Sequence, residues 1–539
     1  MPHLRPSFLA GFRRPAALSV LLVLGLGVTA CQRPVVTPAA PAPAHAPATA
    51  PRPAEVVHYR DFGAIGDGRT DDFDAIIAAH RQANKTGSPV RAQDGATYYI
   101  GAGNRTAEIR TDTDFGTAAF IIDDRNVLIE ERKAPVFKVV SDLQPITLRN
   151  VPPFRQDQRR IEVRLPARSL VFPIDTGTKR FIRRGGNQNA GNPQQDVLLV
   201  DPDGTLDPAV PPFWTFKAIT DCTAYPLDTK PLTIRGGRFT TIANQAPSAY
   251  TYFARGLHIE RSRVTVEGLT HLVTGEGATG APYAAFINIF RSSDVVVRNC
   301  VLSTRKKYFT TGAGGTQVGM GSYDLSIHQS VNVSIIGCTQ STDLFDETRW
   351  PVMSSNGSKN LVYDGCVLTR FDAHAGLLNA TIRNSTVRHI AVTGWGTLRI
   401  ENSTIPNTTL VTLRDDYGSH WDGEVIIRDC VLAPPAGSGI KASPIALIGG
   451  GNDGKHDFGY PCHMPRRIAI DGLKILDQAG AKGADAAVLL RVTPSKAGAP
   501  FPYHLPQEVV TSRLTTASGR PMALSNQPAA FAATRWIQK

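Results

Sequence analysis

The sequence predicts an all-β solenoid: a right-handed parallel β-helix of three sheets, with an N-terminal capping helix and an inserted β-rich module. Three observations predict it. One bend motif recurs nine times between residues 232 and 475, and one amphipathic helix follows an Asp- and Gly-rich opening segment. The stretch able to fold, from about residue 55 onward, is also longer than one compact core comfortably serves. A solenoid escapes that limit because each coil contacts only its neighbours.

The motif reads LTIRGGRF from Leu232, VTVEGLTH from Val264, VVVRNCVL from Val295, VSIIGCTQ from Val333 and LVYDGCVL from Leu361. It continues as ATIRNSTV from Ala380, LRIENSTI from Leu398, VIIRDCVL from Val425 and IAIDGLKI from Ile468. Apolar residues alternate with others at period two, the mark of a strand. The fifth position is always Gly, Asn or Asp, the residues that tolerate a left-handed backbone, so each strand ends in a tight bend. Starts lie 18 to 43 residues apart; the short intervals fit one three-sided coil and the long ones a coil with an inserted loop. The sixth position reads Gly237, Leu269, Cys300, Cys338, Cys366, Ser385, Ser403, Cys430, Leu473. Aligned, these stack as one internal ladder, and its cysteines are expected to be buried thiols. The alternative is a disulfide between neighbouring coils, as Cys338 and Cys366 could form.

At the N-terminus of the folded part, Phe73, Ile76, Ile77 and His80 fall on one face of a helix, with Thr70 as its cap and Asp71 and Asp72 at its positive end. The opening DFGAIGDGRTDD (61–72), followed by GATYYI, resembles the rhamnogalacturonase/epimerase-like pectate lyase superfamily. The resemblance implies the β-helix and a helix plugging its open end. It leaves the chemistry undecided, because no polygalacturonase-type "NTD…DD…GHG…RxK" series accompanies it. Nor is there an obvious acidic cluster that would bind calcium, so no cofactor is expected, with Ca2+ the alternative left open.

The chain divides as follows. Residues 1–30 carry Arg5, Arg13 and Arg14 and then an apolar run too short to span a bilayer, an export signal. Val28-Thr29-Ala30-Cys31 resembles a bacterial lipobox, which implies diacylation of Cys31, a membrane anchor and, with Gln32 next, the outer membrane. Residues 31–54 are a Pro/Ala-rich tether. Residues 55–140 form the N-terminal cap and first coils, and 141–230 a β-rich insertion expected to pack on those early coils. Its loop RRGGNQNAGN offers Arg183, Asn187 and Asn189 as sugar contacts. Residues 231–480 are the remaining coils and 481–539 a capping tail. A net charge of +12, or +9 once the leader is removed, suits an anionic polymer; no nucleic-acid partner is expected.

Four, six and eight residues past Cys366 come Arg370, Asp372 and His374, which alternation places on one outward face. The same offsets on neighbouring coils reach Lys306, Tyr308, Asp346 and His389, and Glu276 lies seven past Leu269. These residues, walled by the 303–330 and 339–358 insertions, are the expected groove of a polysaccharide-degrading enzyme. For β-elimination of a uronate, Arg370 would grip the carboxylate, His374 or Lys306 would be the base and Tyr308 the acid. For hydrolysis, Asp346 and Asp372 would flank the bond, with Glu276 or Glu347 nearby. Trp350, Trp395 and Trp421 are candidates for stacking on sugar rings. A non-catalytic glycan-binding surface protein is the remaining reading.

Overall fold

The computed structural model describes residues 55–183, 190–312, 315–435, 445–451, 457–477, 487–493 and 503–539. The leader, the tether with Cys31, and Asn187 and Asn189 lie outside the described residues. Three parallel ladders run along the chain. In the first, Leu232 pairs with Val264, Val295 with Val333, and Val333 with Leu361. Leu361 then pairs with Ala380, Ala380 with Leu398, Leu398 with Val425 and Val425 with Ile468. These are the first residues of the repeated segments, so the repeat is itself the register of the sheet. All nine fifth-position residues are left-handed, from φ 46° at Asn402 to 75° at Gly472. A further coil adds Arg513 at the same place, φ 48°.

The strand after each bend builds the second sheet; Arg238–Ile242, for example, pairs with Ala119–Asp123 on one side and Thr270–Thr274 on the other. The third sheet stacks Phe137, Leu257, Ile287, Leu325 and Met353. At the corner leading back to the first sheet, Asn332, Asn360 and Asn379 are again left-handed. Their amides donate coil to coil, from Asn379 to Asn360 (3.0 Å), Asn360 to Asn332 (3.0 Å) and Asn332 to Asp294 (3.1 Å). Inside, the sixth-position cysteines are buried, and all six described cysteines are free. The column continues through hydroxyls: Cys366 N donates to Ser385 Oγ and Ser385 N to Ser403 Oγ.

The helix α1, Phe73–Thr86, closes the N-terminal end and buries Phe73, Ile76, Ala79, His80 and Ala83. Its expected cap is corrected: Thr70 donates to Asp67, while Asp71 Oδ1 accepts Phe73 N at 3.0 Å. Asp72 instead ties down the preceding turn through Ile65 N and Gly66 N. The composition change near residue 481 does not end the coils, because Glu508–Thr516 stacks on Arg467–Ile475 and Arg535–Gln538 on Glu508–Thr511.

The insertion is an antiparallel sheet built around Ser169–Arg180, flanked by Asn192–Gln195, Leu198–Val200 and Asp221–Pro226, with Ile146–Thr147 beyond. Among the described residues its cores meet the tube further along than residues 55–140, one of them on Val331. Its core of Val171, Leu198, Val200, Phe216 and Ala224 is continuous with Leu378, Trp395, Phe458 and Tyr460 of the later coils. Those outward-facing apolar side chains would otherwise face water, and covering them is what draws the module along the tube.

Candidate functional site

A cleft of about 910 Å³ opens between the third sheet and the inserted module. On the sheet side the period-two alternation decides which side chains face it. Ile287 and Ile289, then Leu325 and Ile327, point into the tube, so Asn288 and Phe290, then Ser326 and His328, point outward. Asn356 follows one coil later, in register with His328. Asn356 Nδ2 lies 3.1 Å from His328 Nδ1, and Ser326 Oγ lies 2.6 Å from His328 Nε2. Since the amide is a donor, Nδ1 accepts and Nε2 carries the proton to Ser326. Burial pushes His328 down to about 4. Asn288 Oδ1 is buried without a hydrogen-bond partner among the described residues.

The module supplies the opposite wall: Phe181, Arg183, Asn192, Gln195, Phe213 and Trp214. Phe181 sits at φ 53°, a left-handed conformation costly for a bulky residue. That backbone turns its ring edge-on to Tyr417 (5.7 Å), Tyr460 (5.4 Å) and Trp214 (6.1 Å). The Arg180 guanidinium lies over the Trp214 ring at 4.6 Å, holding the indole from behind.

At the corner between the second and third sheets stand His374 and Tyr417, with ring centroids 5.5 Å apart. The Arg183 guanidinium lies 5.2 Å from the Tyr417 ring and pairs with Asp416 at 3.2 Å. Burial lowers His374 to about 4, with the nearby Arg414 adding to the effect. Burial also raises the Tyr417 phenol, so at neutral pH the imidazole is unprotonated and the phenol protonated. Burial would raise Asp416 as well, but Arg414 and then Arg183 outweigh it and hold the carboxylate below its ordinary range. Among the described residues lining the cleft there is no Asp or Glu, whereas Lys133, Arg183 and Arg291 all line it. The arrangement can grip anions, stack on rings and move a proton; it has no carboxylate pair.

No protein-family model matches the sequence. No curated protein matches it. Among solved structures it is similar to the tailspike of Pseudomonas phage phi297, with TM-score 0.51 and 12% identity over 86% of this chain and 81% of that one. It is also similar to the tailspike of Acinetobacter baumannii bacteriophage AP22, solved with a capsular saccharide (TM-score 0.49, 11% identity, 90% and 79% covered). A third is the tailspike of Pseudomonas phage LKA1 (TM-score 0.47, 14% identity, 89% and 84% covered). The likeness shows the fold, a right-handed parallel β-helix.

On this scaffold the residues expected from the sequence fall in three places. Arg370, His389, Asp346, Glu347 and Trp350 do come together, around a groove of about 260 Å³ on the second sheet, where Arg370 and His389 are register partners. The carboxylates there are already engaged, Asp346 with Arg349 (3.2 Å) and Glu347 with Arg388, and Glu276, which does not line the groove, also pairs with Arg349 (2.8 Å). Lys306 and Tyr308 turn away from the groove, both donating to Gly277 O. Asp372 faces outward as alternation requires, yet it is fully buried between Arg370 (2.9 Å) and Arg414 (3.2 Å). His374 lies past the corner, because the chain turns there into the strand Ala375–Arg383, whose first residues lie on the third sheet before the bend at Asn379, and it lines the cleft instead. One outward face for Arg370, Asp372 and His374 is therefore corrected to two faces. Trp395 and Trp421 are also corrected: Trp395 packs beneath the module and Trp421 is wholly buried, its indole N–H donating to Gly396 O. Arg183 was legible as a loop candidate, but His328 and Asn288 were not, since no motif marks the third sheet, nor were Trp214 of the module and Tyr417 of the turn Asp415–Tyr417, which no repeat marks.

Proposed function

We propose that this protein cleaves an acidic polysaccharide by β-elimination in the cleft between the third sheet and the module. The observation that carries the reading is the contact of Tyr417 with both Arg183 and His374 in a cleft whose described lining includes no carboxylate. Arg183 binds the uronate carboxylate and, by drawing charge from it, acidifies the C5 hydrogen. His374 takes the C5 proton; the electron pair forms the C4–C5 double bond as the C4–oxygen bond breaks; Tyr417 protonates the departing oxygen. The protonated imidazole then returns its proton to the phenolate, directly or through water. A pKa near 4 makes His374 by itself a weak base. An anionic substrate beside it offsets the neighbouring arginines and strengthens it. Phe181, Phe290 and Trp214 supply apolar faces for sugar rings, and Asn288, Gln329 and Asn356 supply hydroxyl partners.

Hydrolysis needs two available carboxylates, and those on the second-sheet groove are bound to arginines. The lipobox-like segment ending at Cys31 supports an anchored protein at the cell envelope. The test is incubation with a panel of acidic and neutral polysaccharides, following ultraviolet absorbance of the unsaturated uronate beside reducing ends. An acidic polymer should yield both signals in step, and His374→Ala should lower turnover by about a hundredfold or more. Reducing ends without ultraviolet absorbance would mean hydrolysis, and saturable binding without either signal would mean a glycan-binding protein; either result sinks the proposal.

A further inference from the structure

The buried Asp372 belongs to a line of five charged side chains that crosses the corner between the two sheets. Arg370 pairs with Asp372 at 2.9 Å, and Asp372 accepts Arg414 Nη1 at 3.3 and 3.2 Å. Arg414 grips Asp416 with Nε (3.1 Å) and Nη2 (2.9 Å), and Asp416 meets Arg183 Nη2 at 3.2 Å. Charges alternate throughout, with arginine at both ends and one positive charge in excess. Each carboxylate sits between two cations, which is what makes a fully buried Asp372 tolerable. The Arg414 fork is directed at Asp372 and Asp416, and only Arg183, at the end of the line, reaches the cleft.

The backbone of Arg414 holds the second partner of the site. Its carbonyl accepts Tyr417 N (3.2 Å) and Ser419 N (2.9 Å), closing the short turn Asp415–Tyr417, and its N–H donates to Val392 O. Fixing Arg414 therefore fixes both the direction of Arg183, through Asp416, and the turn that carries Tyr417. Asp372 is the anchor of Arg414 on the sheet.

We infer that Asp372 and Arg414 are positioning residues that aim Arg183 at the substrate carboxylate, and so set the preference for an acidic over an esterified polymer. This rests on the elimination proposed above. Asp372 touches no substrate, so it is not a catalytic residue. The test compares steady-state kinetics on a uronate polymer and on its methyl ester for wild type, Asp372→Asn and Arg414→Lys. Asp364→Asn, which breaks a pair with Arg383 on the first sheet, is the control. Loss of one well-aimed charge-assisted contact should raise KM for the acidic polymer about tenfold. On the acidic polymer kcat should fall as well, because Arg183 also acidifies the C5 hydrogen. The ester, which gives Arg183 no carboxylate to grip, should lose much less, so the acid-over-ester ratio of kcat/KM falls about tenfold or more. A relay with a merely structural role would move both polymers together, and equal effects on acid and ester overturn the inference. So does an unchanged ratio in both variants, and so does failure of both to fold, which would assign the line to folding alone. If wild type itself produces no unsaturated uronate from any polymer, it is the elimination reading that fails.

Discussion

Lys359 and Asp196 pin the module to the solenoid, and removing the pin should open the cleft from its module side. Both side chains are fully buried, with Nζ 2.7 Å from Asp196 Oδ1 and 2.7 Å from Pro211 O. The ammonium also lies 4.4 Å from the Phe213 ring centre, and Phe213 lines the cleft. Asp196 in turn accepts Val197 N (2.7 Å) and Phe213 N (2.6 Å). Lys359→Met keeps the aliphatic stem against Phe213 but leaves a buried carboxylate held by two backbone donors alone. Breaking a buried pair on one side costs about 3–5 kcal/mol, and those two donors place this variant near the lower end. Asp196→Ala should cost more, because an unpaired ammonium remains and two buried N–H groups each lose an acceptor, at about 1–3 kcal/mol apiece. Asp196→Asn combined with Lys359→Met removes both charges yet keeps an acceptor, so the double variant should be more stable than Asp196→Asn alone. Urea unfolding followed by tryptophan fluorescence reads the effect, since Trp214 and Trp395 meet at this interface, 4.9 Å apart. Hydrogen exchange should rise first in Ser169–Arg180 and Asp221–Pro226. If Lys359→Met unfolds at the wild-type midpoint, the pair contributes no more than an exposed one, and the reasoning is refuted.

Three further outcomes are expected. Thiol labelling of the unfolded, unreduced protein should find Cys300, Cys338, Cys366 and Cys430 free, and Cys338→Ala should cost about 1–2 kcal/mol; mass spectrometry showing any two bridged would overturn the thiol ladder. Cys31→Ser should release the protein from membrane fractions, and retention without an acyl mass would defeat the proposed anchor. Burial holds His80 at about 3 and His258, His328, His374 and His389 at about 4, all below the ordinary 6.5. On acidification the unfolded chain therefore takes up protons first, so their contribution is whole above pH 6.5 and is lost as pH falls toward 4. Thermal unfolding across that window should show Tm dropping; a flat Tm would contradict their burial as neutral groups.

What could be read along the chain is what short-range chemistry dictates. The coil register was legible because every bend needs a left-handed residue, and Gly, Asn or Asp stands at each of the nine fifth positions. The cysteine column was legible because it keeps a constant offset from that bend. α1 was legible from its apolar face, although not its cap, since several neighbouring Asp and Thr side chains compete for the same backbone donors.

The candidate site was legible only in fragments. Alternation correctly sends Arg370 and Asp372 outward, but it cannot say that Arg414, 42 residues further on, closes over Asp372. Nor can it say that the chain rounds a corner at His374. The module's position depended on apolar side chains more than 150 residues away, Trp395 and Tyr460 among them, that needed covering. The sequence by itself determined the tube, because bends and strand periodicity are set within a few residues. Only the tertiary structure decided the cleft, because its two walls are joined by burial and ion pairing between segments that share no local pattern.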